Sequence, residues 1–131
     1  MLVSVAVNLF CKDHNKQFEF YQQLCGAPEM LEHASPIYRG LQLSGITLGF
    51  HAQDAYALLG AEALRFESPS AGHYPTFNLA SNVDLDAWLA RALNLGALVL
   101  KPPYMTYYNA YQVVLTDPEG NLFRLNCYQS L

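Results

Sequence analysis

The sequence predicts an α+β fold built from two βαβββ modules, and three observations carry that prediction. Short apolar runs with alternating polarity recur along the chain and read as strands. Two other runs place apolar residues at helical spacing, and each is closed by a glycine. The halves also match at a constant offset of 70: Asn8 with Asn78, Leu9 with Leu79, Phe18 with Trp88, Cys25 with Leu95, Gly26 with Gly96 and Ala27 with Ala97. Six matches in matched roles point to an internal duplication.

Module one covers residues 1–52. Its first strand reads through LVSVAVNLF, with Val3, Val5, Val7 and Leu9 on one face and Ser4, Ala6, Asn8 and Phe10 on the other. Asp13 is placed to cap a helix that turns Phe18, Tyr21 and Cys25 inward and ends at Gly26. PIYRGLQL and ITLGFH follow as strands around a Ser44-Gly45 turn. A connector over 53–72 opens with a short helix through DAYALLG and runs into the polar loop ESPSAGH. Module two, 73–131, starts with the strand YPTFNLAS. Asp84 is placed to cap its helix, which carries Leu85, Trp88, Leu89, Ala92 and Leu95, with Val83 and Trp88 as a hydrophobic staple and Gly96 at the end. Trp88, spaced among leucines, reads as core. ALVL, AYQVVLT and LFRLNCY complete the module. The last two flank Asp117-Pro118-Glu119-Gly120, which has Asp, Pro and Gly where a type I turn selects them.

The bulk numbers narrow the function classes. A chain of 131 residues with 52% hydrophobic and 14% charged residues is one ordinary globular domain. A net charge of -4 and seven scattered Lys and Arg give no footprint for nucleic acid or an anionic membrane. No run approaches the roughly 18 apolar residues of a membrane span, and the N-terminal run lacks a basic region or cleavage site. Cys11, Cys25 and Cys127, an odd number at unrelated spacings, read as reduced thiols of a cytoplasmic protein.

The duplicated βαβββ pattern, FEFYQQLCG at the end of the first helix and LTDPEGNLFRLN as the last hairpin resemble the vicinal oxygen chelate superfamily. That superfamily holds glyoxalases, extradiol dioxygenases and bleomycin-resistance binding proteins. The resemblance implies two modules whose mainly antiparallel sheets curl into a cup, and a homodimer. In metal-dependent members it implies a His from each first strand and a Glu or His from each last strand. Carried over, those positions are Ala6, Thr76, Gly49 and Arg124, and none is a metal ligand. No metal and no cofactor are therefore expected.

The same resemblance puts Asn8, His51, Asn78, Arg124 and Asn126 on the cup floor, since alternation sets each beside one of the four positions or at it. Phe50 joins them as aromatic lining, together with Tyr104 and Tyr107 from the tyrosine-crowded run YMTYYNAYQ. Competing roles are open at this stage. Arg124 could pair with a neighbouring carboxylate, Asn8 and Asn78 could bond to each other or to backbone, and His51 could be structural. The leading expectation is a metal-independent binding protein of the bleomycin-resistance type, holding a small planar aromatic molecule, with an anion such as a carboxylate suited to Arg124. The alternative is a lyase, isomerase or dioxygenase that uses His51 with Arg124, or a ligand set such as His51, His73 and Glu67.

Overall fold

Each half of the chain lays one helix on one face of one small sheet. The computed structural model describes residues 1–65 and 72–130, in two units, Met1–Glu67 and Ser68–Leu131. The fold is the α+β arrangement read from the sequence. Glu67 and most of the ESPSAGH loop lie outside the described residues.

In the first unit, β1 (Ala6–Phe10), α1 (His14–Cys25), β2 (Tyr38–Gln42) and β3 (Thr47–His51) form a sheet of order β1-β3-β2. β1 runs parallel to β3, and β2 runs antiparallel to it. A short helix, α2 (Ala55–Leu58), follows. Asp13 caps α1 as expected, its carboxylate accepting from Lys16 N at 3.1 Å. Gly26 takes the left-handed conformation (φ 63°) that lets its N–H close onto Gln22 O. The face of α1 bearing Phe18, Tyr21 and Leu24 is fully buried. It meets Phe50, whose ring stands edge-on to Phe18 at 6.0 Å and stacks on Tyr21 at 5.6 Å. Burying each such ring stabilises the unit by about 1.5–3 kcal/mol. Arg39 covers this core from the side, its guanidinium 3.8 Å from the Phe18 ring centre and ion-paired with Glu29 at 2.8 Å.

The second unit contains β4 (Thr76–Asn78), α3 (Asn82–Asn94), β5 (Leu98–Met105), β6 (Ala110–Thr116) and β7 (Leu122–Tyr128). Its sheet has the order β4-β7-β6-β5, with β4 parallel to β7 and the remaining pairs antiparallel. Leu85 and Ala92 of α3 are buried, as are Val113, Leu115, Phe123 and Leu125 of the sheet. Phe77 joins Phe123 at 6.3 Å and the half-buried Trp88 at 5.9 Å. The turn into β7 forms as its residues dictate. Gly120 N bonds to Asp117 O at 2.8 Å, and the Asp117 carboxylate accepts from Glu119 N and Asn121 N, both at 3.0 Å.

Three local expectations are corrected. β1 begins at Ala6, and residues 1–5 carry no strand assignment, although Val5 O accepts from Thr47 N. Ser81, not Asp84, caps α3: Ser81 is the residue with extended backbone, and its hydroxyl accepts from Asp84 N at 3.0 Å. Asp84 instead lies in the first turn, where a carboxylate favours the positive end of the helix dipole. Val83 is 77% exposed, so it forms no staple with Trp88.

Candidate functional site

Strand parity divides each sheet into a helix-covered face and a face turned away from the helix. In the second unit, Tyr111 fixes the parity by reaching Asp86 of α3 at 2.8 Å. Its neighbour Gln112 therefore belongs to the other face, where it pairs across the sheet with Tyr104 and Asn126. Thr76 lies beside Arg124 and Asn78 beside Asn126 on that same face.

These residues form one hydrogen-bonded cluster around Arg124. Its Nε donates to Thr76 Oγ1 at 2.7 Å, and its Nη1 donates to Tyr108 Oη and Gln112 Oε1, both at 3.1 Å. Tyr108 in turn donates to Gln112 Oε1 at 2.5 Å, and Gln112 Nε2 donates to Tyr104 Oη at 2.7 Å. The Tyr74 ring lies 5.4 Å from the guanidinium carbon. All of these partners are neutral, and Nη2 has none among the described residues. The carboxylate that could have paired with Arg124 is thus replaced by hydroxyls and an amide, which orient the cation without cancelling its charge. Next along β7, Asn126 is fully buried and donates through Nδ2 to Asn78 Oδ1 at 3.0 Å. Its own Oδ1 has no donor among the described residues.

In the first unit the face away from α1 carries Asn8, Tyr38, Gly49 and His51. Tyr38 donates its hydroxyl to Asn8 Oδ1 at 3.2 Å, and this bond passes directly over Gly49. A Cβ at Gly49 would collide with both atoms, so the glycine is what lets the pair meet. His51 lies between Tyr38, at 4.8 Å, and Phe10, at 5.6 Å, while Phe10 stacks on Tyr56 at 3.8 Å. Burial pushes the His51 imidazole below its usual range, with a smaller push from His14, and it pushes the Tyr38 hydroxyl up. His51 Nδ1 is buried with no partner among the described residues.

Six of the eight residues singled out from the sequence therefore fall on these two faces: Asn8 and His51 on the first, and Asn78, Tyr104, Arg124 and Asn126 on the second. Phe50 does not, because parity sends it to the α1 side, where it is 0% exposed. Tyr107 does not either. It stands at the β5-β6 hairpin tip, 99% exposed, and meets the cluster through an edge-on contact with the Tyr108 ring. Tyr38, Tyr108, Gln112 and Thr76 complete the faces and were not among the expected ligand contacts. Gln112 depends on the register that sets it beside Asn126, and Tyr108 on a turn that sets Asn109 at φ 61°.

The strand pairings also revise the match between modules. Thr76 pairs with Arg124 but its duplicate Ala6 pairs with Thr47, so Thr47, not Gly49, corresponds to Arg124. Either way, a methyl group, a hydroxyl or a glycine, and a guanidinium do not fit a divalent ion. Among the described residues, no three His, Cys, Asp or Glu side chains converge as a metal site.

Two units of this kind, each with its first strand parallel and adjacent to its last, define the vicinal oxygen chelate class of proteins. The glyoxalase-like domain family model matches residues 4–126, and the chain belongs to that family. It is 36% identical to a glyoxalase/bleomycin resistance protein/dioxygenase family enzyme from Burkholderia phytofirmans PsJN, over 95% of this chain and 97% of that one, with a TM-score of 0.90. A glyoxalase-related enzyme from Fulvimarina pelagi shares the fold at 16% identity and a TM-score of 0.82, over 97% and 88% of the two chains. So does a lactoylglutathione lyase from Agrobacterium tumefaciens, at 19% identity and a TM-score of 0.72, over 95% and 92%. No match is found among curated proteins. No helix among the described residues is long and apolar enough to cross a membrane.

Proposed function

We propose that this protein is a metal-independent small-molecule binder of the bleomycin-resistance type, which holds a planar, anionic aromatic ligand on the Arg124 face of its second unit. The observation that carries the proposal is the state of Arg124: half-buried, oriented by three neutral groups and left with an Nη2 that none of the described residues engages. A guanidinium held this way keeps its charge and loses little freedom when a carboxylate docks. The Tyr74 ring supplies flat apolar surface beside it, while the Lys101 ammonium lies over the Tyr104 ring at 3.8 Å and adds a second positive charge on that tyrosine. The protein acts as a cytoplasmic homodimer in this account. Its three cysteines are thiols, with Cys11 and Cys127 buried, in keeping with a reducing compartment.

Native mass spectrometry with elemental analysis tests the proposal. The expected result is a metal-free protein that takes up benzoate, with uptake lost in Arg124→Gln. A stoichiometric divalent ion, together with turnover that a chelator abolishes, would overturn it.

One observation favours an enzyme as the second reading. Burial favours the neutral form of the His51 imidazole, in which a ring nitrogen can accept a proton, and its Nδ1 lacks a partner among the described residues. If His51→Ala leaves every turnover measured for the protein unchanged, that reading is removed.

A further inference from the structure

A guanidinium donates hydrogen bonds and never accepts them. Because Arg124 Nη1 bonds to the Gln112 side chain, the amide oxygen must face the arginine and the amide nitrogen must face Tyr104. Gln112 is 3% exposed, so this orientation is locked by its neighbours. The Tyr104 oxygen therefore receives a hydrogen bond from Nε2, and its own proton has no acceptor among the described residues. Thr76 is in the same position: its oxygen accepts from Arg124 Nε, and its proton has no acceptor among the described residues. Tyr108 is closed, because it both accepts from Arg124 and donates to Gln112.

We infer that Gln112 sets the hydrogen-bond polarity of this face, so that it selects an anion carrying a second hydrogen-bond acceptor, which the Tyr104 hydroxyl reads. The inference rests on the reading of the Arg124 face as an anion site. Adding the width of the amide to its two hydrogen bonds, the path from Nη1 through Gln112 to the Tyr104 oxygen spans at most roughly 8 Å. An aromatic carboxylate with a carbonyl, nitro or ether oxygen across the ring suits that span. A group without an acceptor leaves the Tyr104 proton unused. Gln112 is thus a positioning residue and Tyr104 the residue that determines specificity. Glutamate at position 112 would reverse both features, giving Arg124 an internal counter-charge and Tyr104 an acceptor for its proton.

Calorimetric titration of the full chain with 4-acetylbenzoate and 4-isopropylbenzoate, which differ in shape by little and in the acceptor by everything, tests this. Wild type is expected to bind the acetyl compound about five to ten times more tightly, the effect of one hydrogen bond. Tyr104→Phe is expected to bring that ratio to about one, and Gln112→Glu to weaken both acids at least about tenfold. Equal binding by wild type, or a ratio that survives Tyr104→Phe, would overturn the inference while the anion site stands. Failure of wild type to bind either acid would overturn the anion site itself, and the inference with it.

Discussion

Gly49→Ala should destabilise the first unit, although a glycine in a strand is ordinarily improved by alanine. Gly49 has no positive φ, so alanine would gain about 0.4–1 kcal/mol from a less flexible unfolded chain. Against that, the new Cβ collides with Asn8 Oδ1 and the Tyr38 hydroxyl and lies 2.7 Å from Tyr38 Cε1. The Asn8–Tyr38 hydrogen bond must break, at a cost of about 0.5–1.5 kcal/mol. The Tyr38 ring must also leave its rotamer or shift, at about 0.5–1.5 kcal/mol more. The net expectation is a loss of about 1 kcal/mol, seen in urea denaturation and as a fall of roughly 3–6 °C in Tm. Placing the substitution in an Asn8→Ala background removes the nearest obstacle, so the two changes should couple by about 0.5–1 kcal/mol. If Gly49→Ala is as stable as wild type or more so, the crossing of Asn8 and Tyr38 over this glycine is wrong.

Phe50→Ala should cost about 3–5 kcal/mol in denaturant unfolding, because it opens a cavity between Phe18 and Tyr21; a cost under ~1 kcal/mol would place Phe50 on the other face. The Glu29 carboxyl is held below its ordinary value of 4.5, first by its hydrogen bond to Arg39. Its contribution to stability is therefore complete above that value and lost as pH falls through the lower folded one. Glu29→Gln should flatten this acid limb in a series of melting curves. His51 has a folded value below 6.5, so stability should also fall as pH drops below about 6.5, where the unfolded chain takes up the proton first. NMR titration of the His51 ring at or above 6.5 would contradict its burial.

Local chemistry made much of the fold legible in advance. Asp13, Gly26 and the Asp117–Gly120 turn act through contacts within a few residues, and a sequence shows such contacts directly. The cap of α3 was misplaced because Ser81 and Asp84 are both good capping residues, and only the backbone decides which one is extended. The site was legible where it depends on parity. Arg124 and Asn126 alternate along one strand, and Asn78 follows from Asn8 by the offset of 70, a place its pairing with Asn126 agrees with. It was not legible where it depends on register between strands. That Gln112 stands between Tyr104 and Asn126, or that Thr47 rather than Gly49 matches Arg124, follows from pairings no single strand encodes. Phe50 shows the cost of ranking residue type above parity, since an aromatic beside His51 must face the opposite way.

The central claim is that Arg124 holds an anion with a charge that no carboxylate among the described residues cancels. The most direct test is an NMR titration of the isotopically labelled protein with benzoate, observing the Arg124 side-chain Nε–H and the amides of Thr76, Tyr108 and Gln112. The account predicts saturable shifts centred on Arg124 that vanish in Arg124→Gln while the rest of the spectrum stays folded. Shifts that survive in Arg124→Gln, or an Arg124 resonance unmoved at saturating benzoate, would contradict it.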